Sequence, residues 1–151
     1  MIRFGVMALL TCLPVIGAAQ EVAECDWRAS AQSIAEPWEA NTRTFANGAV
    51  RLALLDTVEP AAGAFHLLIL SPPYGETGER QCRVISREGT MGYASLDFAA
   101  LEAGYDPAKG LTFTLPGVLY LPEESFSNSL RLTLTLNQAT GEITLAQELA
   151  E

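Results

Sequence analysis

The clearest alternation in the chain lies near its C-terminus, where Leu130, Leu132, Leu134 and Leu136 are interleaved with Arg131, Thr133, Thr135 and Asn137. A period of two places the four leucines on one face of a β-strand and the polar residues on the other. A loop at residues 138–141 then leads into 142–146, where Ile143 and Leu145 resume the buried face. Upstream, Leu111, Phe113 and Leu115 alternate with Thr112 and Thr114. Pro116-Gly117 is expected to bend or break that strand before residues 118–121, since proline cannot donate to a ladder. Val50, Leu52 and Leu54 alternate with Arg51 and Ala53, the pattern of a strand with one wet face.

Residues 64–87, AFHLLILSPPYGETGERQCRVISR, read as two central strands, 64–70 and 81–87, joined by an exposed loop. The first has almost no polar alternation, so both of its faces are expected to be covered. In the second, Cys82 and Val84 share one face, which places Cys82 toward the core, and Arg83, Ile85 and Arg87 share the other. Asn47-Gly48 marks a hairpin that pairs Phe45 with Val50, because both turn residues tolerate positive φ. Glu88-Gly89 marks a tight turn into residues 90–96. Asp106-Pro107-Ala108-Lys109 has the residues of a type I turn, with Gly110 following.

Two helices are expected. Asp26 is placed to cap one running through Ile34, stopped by Pro37, with Trp27 and Trp38 covering one end of the core. Asp97 is placed to cap another from Phe98 to Ala103, with Gly104 as its C-terminal glycine. Short strands joined by hairpin connections, with one or two short helices, define a mainly β chain: an antiparallel β-sandwich or small barrel. An α+β arrangement, with the N-terminal segment packed as a helix, is the alternative.

Residues 1–19 read as an address. Arg3 gives a positive start, residues 4–16 an apolar core, and Gly17-Ala18-Ala19 a small-residue cleavage site before Gln20. The apolar core is shorter than the roughly 20 residues a spanning helix needs. Lipid attachment at Cys12 is disfavoured because the apolar run continues through it to Ile16. The expectation is an exported protein, periplasmic or secreted, with no transmembrane segment after cleavage and one domain over residues 20–151. Cleavage leaves two cysteines, Cys25 and Cys82. In an oxidising compartment the simplest fate of that pair is one disulfide.

The whole chain has a formal net charge of −9, and loss of Arg3 takes it to −10. So acidic a chain is repelled by nucleic acid and by anionic lipid. Nucleic acid is therefore not an expected partner, whereas another envelope protein, or a basic one, is.

Little in the sequence points to catalysis. His66 is the only histidine, set mid-strand between Phe65 and Leu67, which favours a structural role over acid–base work. It can point away from Phe65, Leu67 and Ile69, toward an acidic partner. No G-x-S-x-G elbow, S-x-x-K, P-loop, G-x-G-x-x-G or calcium-loop pattern is present, and one histidine with two distant cysteines is poor material for zinc. No catalytic, cofactor or metal residues are assigned. Residues 71–79, SPPYGETGE, form the most interaction-like segment: Pro72 and Pro73 stiffen it and Tyr74 offers an amphipathic contact. A second such loop is 122–128, with Phe126 among polar residues.

The stretches EPWEANTRTFANG, RLALLDTVEPAAGAFHLLILSPP, SLDFAALEAGYDP and LTLNQATGEI resemble a family of small exported bacterial proteins known only as hypothetical. The resemblance implies export and a compact domain, and brings no activity or ligand. Three functions stay open on these residues: a non-catalytic binding or accessory protein of the bacterial cell envelope, an acidic inhibitor of a basic hydrolase such as lysozyme, and a small hydrolase.

Overall fold

A computed structural model describes residues 21–149, in which ten strands pair into two antiparallel sheets. The first sheet joins β1 (Glu21–Glu24), β2 (Thr42–Phe45), β3 (Val50–Asp56), β4 (Phe65–Tyr74) and β5 (Arg80–Ser86) in the order β1-β5-β4-β3-β2. The second joins β6 (Ser95–Leu96), β7 (Glu102–Asp106), β8 (Gly110–Leu121), β9 (Phe126–Leu136) and β10 (Ile143–Leu149) in the order β10-β9-β8-β6, with β7 also on β8. The sheets pack face to face and do not close, so the fold is a sandwich rather than a barrel. The candidate signal at residues 1–19 lies outside the described residues.

Alternation builds the main core. Leu52, Leu54, Leu67, Ile69 and Ile85 project inward from the first sheet and meet Phe113, Leu115, Leu132, Leu134 and Leu136 from the second. Each side chain so buried stabilises the fold by about 2 kcal/mol. Ile143 and Leu145 of β10 pack against the same core, and Phe45 meets Phe113 edge to face with ring centroids 4.9 Å apart. Phe45 does pair with Val50, across a turn in which Asn47 (φ 55°) and Gly48 (φ 87°) take the left-handed conformation.

A second, smaller apolar cluster lies on the outer face of the first sheet: Ala53, Leu55, Leu68 and Val84, with Cys25, Ala29, Ile34, Leu70 and Cys82 against them. The wet face expected for β3 is therefore covered, and β4 is covered on both faces as expected. The cover is residues 25–35, which form two 3-10 turns, Trp27–Ala29 and Ala31–Ser33, instead of one helix. Asp26 does cap the first turn, accepting from the Arg28 amide at 3.0 Å. The segment's hydrogen bonds then pass to the sheet: Cys25 N–H donates to Cys82 O and Ala35 N–H to Leu54 O. A helix this short is marginal alone, and the sheet offers the backbone better partners.

The helix expected from Phe98 to Ala103 is likewise a single turn. Asp97 Oδ1 accepts from Ala100 N–H, Phe98 and Leu101 are both buried, and the chain leaves as β7 along β8. Gly104 sits opposite Thr112 in that strand rather than at a helix end. Pro116 does not break β8. Its carbonyl accepts from Asp97 N–H, so its imino side faces β6 and β7 and the ladder to β9 runs on past Arg131 and Leu130. Residues 90–96, expected as a strand, give the isolated Glu88–Met91 and Phe65–Tyr93 bridges and two-residue β6.

Candidate functional site

The one imidazole of the chain is the natural place to look for chemistry. His66 is 0 % exposed and lies on the outer face of β4, opposite in direction to Leu67 and Ile69. The Leu67–Ile85 pair puts Ser86 across from it, one position on along β5. Its Nδ1 lies 2.8 Å from Ser86 Oγ. Ser86 Oγ also accepts from Arg28 Nη1 at 2.7 Å, and the same guanidinium donates to Gly89 O and pairs with Asp26 at 2.8 Å. The acidic group foreseen near His66 is thus present at third hand, through Arg28 and Ser86.

This chain of groups is sealed. Ser86 is 0 % and Arg28 3 % exposed. Gly92 closes over the ring: a Cβ there would collide with His66 Cε1 and with the carbonyls of Gly63 and Phe65. Burial first, and then the Arg28 charge, lower the His66 pKa from 6.5 to about 4, so the ring is neutral near pH 7. The arrangement is a poor nucleophile–base pair. No group orients the far nitrogen, since His66 Nε2 has no partner among the described residues, and the Ser86 oxygen is already engaged by a cation. Its geometry suits a clamp that fastens residues 25–35 to the sheet.

The other fastening is the Cys25–Cys82 disulfide, with Cα atoms 5.3 Å apart. The pairing expected from the sequence is present, but on the outer cluster beside Val84 and not between the sheets. A covalent link over 57 residues restricts the unfolded chain by about 4 kcal/mol in the loop-entropy account.

The candidate interaction residues separate. Pro72, Pro73 and Tyr74 are the end of β4 rather than part of a loop, with a register shift between Ser71 and Tyr74 and Tyr74 paired with Arg80. The exposed turn shrinks to residues 75–79, where Thr77 bonds to Glu79 and holds its carboxyl below the usual range. Arg80 donates to Gly48 and Ala49 at this end of the sandwich. At the other end of β5, Arg87 donates to Tyr120 O, beside the hairpin that carries exposed Phe126. Tyr74 and Phe126 therefore lie at opposite ends and cannot share one compact site.

Trp27 and Trp38, expected to cap the core, are both exposed. Trp27 instead lines a cleft of about 240 Å³ with Gln32, Ser33, Asp56, Thr57 and Val58, where the cover meets the end of β3. Val58 is 70 % exposed and has φ 69°, a conformation that β-branched residues avoid. No local pattern marks this cleft, because Trp27 and Asp56 are distant in the chain and their segments are joined by the Ile34–Leu55 bridge and the Ala35–Leu54 hydrogen bond. Ser86 was within reach of sequence reasoning through the hairpin register, whereas Arg28 was not.

Among the described residues no three His, Cys, Asp or Glu side chains converge as metal ligands, and no helix is long and apolar enough to cross a membrane. Comparisons with protein-family models, with curated proteins and with solved structures give no match.

Proposed function

We propose that this protein is a non-catalytic binding or accessory protein of the bacterial cell envelope. One observation carries the reading: the only imidazole and its hydroxyl partner are shut inside the fold, while Trp27, Trp38, Val58, Tyr74 and Phe126 face solvent. Chemistry needs its acid–base group within reach of substrate, and recognition needs large side chains outside. The signal-like residues 1–19 and the disulfide both agree with an oxidising, extracytoplasmic site of action. The test is a panel of ester, peptide and glycan substrates offered to wild-type protein and to Ser86→Ala. The reading predicts no turnover by either; turnover abolished by Ser86→Ala would overturn it and restore the small-hydrolase reading.

A second reading, an acidic inhibitor of a basic hydrolase, draws on the net charge of −9. It predicts inhibition in a lysozyme cell-wall lysis assay that weakens as salt rises past about 0.1 M, where the Debye length is near 10 Å. Undiminished lysis at low salt with micromolar protein would remove lysozyme as the target.

A further inference from the structure

The cleft at Trp27 differs in the charge it carries from three other depressions among the described residues. Each of these three includes a basic residue, with Lys109 shared by two: Lys109 beside Thr135, Asn137 and Glu142, Lys109 again beside Tyr105, and Arg131 beside Asp97. None of the six residues around the Trp27 cleft is basic. One wall is the 61 %-exposed indole, and another is the exposed Val58, whose backbone is left-handed. Asp56 lines the cleft with them. Its Oδ1 accepts from Val58 N–H at 2.8 Å, and its Oδ2 has no hydrogen bond among the described residues.

We propose that this cleft receives the side chain of a lysine or arginine presented by a basic protein partner, a proposal that rests on the binding-protein reading above. The amphipathic shape of the guest matches the host. An aliphatic stem lies against Val58 and the indole, and the charged head reaches Asp56 Oδ2. The indole face adds attraction for a cation within about 6 Å of its centre. Gln32 and Ser33 supply polar neighbours at the rim. An apolar guest would cover Asp56 Oδ2 and leave it without a partner, and an anionic guest would meet both Asp56 and the negative field of the chain. A cationic head on an aliphatic stem meets the carboxylate, the indole and Val58 together.

The test uses Trp38→Phe protein, in which Trp27 is the only tryptophan left and reports on the cleft by its fluorescence. The probe is a short capped lysine–glycine peptide, with the norleucine–glycine analogue as the neutral isostere. The lysine peptide should shift Trp27 emission in a saturable way, and the norleucine peptide should not. Asp56→Asn keeps the Oδ1 acceptor for Val58 N–H, so the turn is retained, and it should weaken the lysine peptide about tenfold, the equivalent of about 1.4 kcal/mol. No shift with the lysine peptide up to about 10 mM, equal response to norleucine, or unaltered affinity in Asp56→Asn would each overturn the proposal, since a weaker contact than that could not steer recognition. If an envelope partner binds Trp27→Ala as well as wild type, the binding-protein reading stands and this cleft is removed from it.

Discussion

His66 shows how a single buried group sets a response to pH. Its folded pKa of about 4 lies below the ordinary 6.5, so the unfolded chain takes up the proton more readily. The stability held by the neutral ring is full above pH 6.5 and is lost as pH falls toward 4, a shift on the order of 3 kcal/mol for one group. Asp26, lowered chiefly by its side-chain hydrogen bonds from Arg28, acts further down, its contribution fading as pH drops below 3.8. Denaturant midpoints measured from pH 7 to pH 4 should fall in the wild type and fall less in His66→Gln, which should also be modestly less stable at pH 7. Parallel curves would contradict this. Val58 gives the opposite case. Replacing it by asparagine, which tolerates the left-handed region, should stabilise by about 1 kcal/mol. The melting temperature should rise by about 3 °C; a fall would mean that φ 69° carries no strain. The sequence showed that His66 sits among apolar neighbours, and the structure adds that its partner is a serine held by Arg28. That arginine was hidden because its polar position in a short N-terminal turn looks like any solvated residue.

The cover over the first sheet is the element on which the surface chemistry depends. Its side chains fasten it at the Cys25–Cys82 bridge and through the Arg28 bonds to Ser86 and Gly89, and its backbone at Cys25 and Ala35. The Cys25→Ser/Cys82→Ser double substitution should cost about 2–4 kcal/mol. Amide hydrogen exchange should then rise first in residues 25–35, where few backbone bonds reach the sheet. Faster exchange first in β8 and β9 would show that the bridge supports the main core instead. The strands were legible wherever one face is wet, as in β9. The core face of β3, Val50, Leu52 and Leu54, was legible too, whereas β5 carries an apolar residue on each face, Ile85 toward the second sheet and Val84 away from it, so the expectation of an inward Cys82 fails. The two expected helices failed for one reason. Caps and apolar spacing were present at Asp26 and Asp97, but free strand edges took the backbone after a single turn.

At the scale of the molecule, the sandwich separates a sealed polar clamp from exposed large side chains, the proposed recognition surface, and on that proposal the acidity of the chain favours a basic partner. Association with a basic protein should slow steeply as ionic strength rises past about 0.1 M, while dissociation changes less. Rates unaffected by salt would remove electrostatic steering from the account. Fold class, disulfide pairing and acidity were all legible in the sequence. The cleft proposed for recognition was not, because it is assembled from Trp27 and Val58, which lie on different elements. Capture from an envelope extract of the native host tests the central claim most directly. Protein spanning residues 20–151 and its Ser86→Ala and Trp27→Ala variants serve as baits, and the retained proteins are quantified by mass spectrometry. The account predicts a specific envelope protein held by wild type and by Ser86→Ala at low salt, released at high salt, and depleted on Trp27→Ala. Retention of no protein above a blank support, with the bait folded and its disulfide formed, would contradict it.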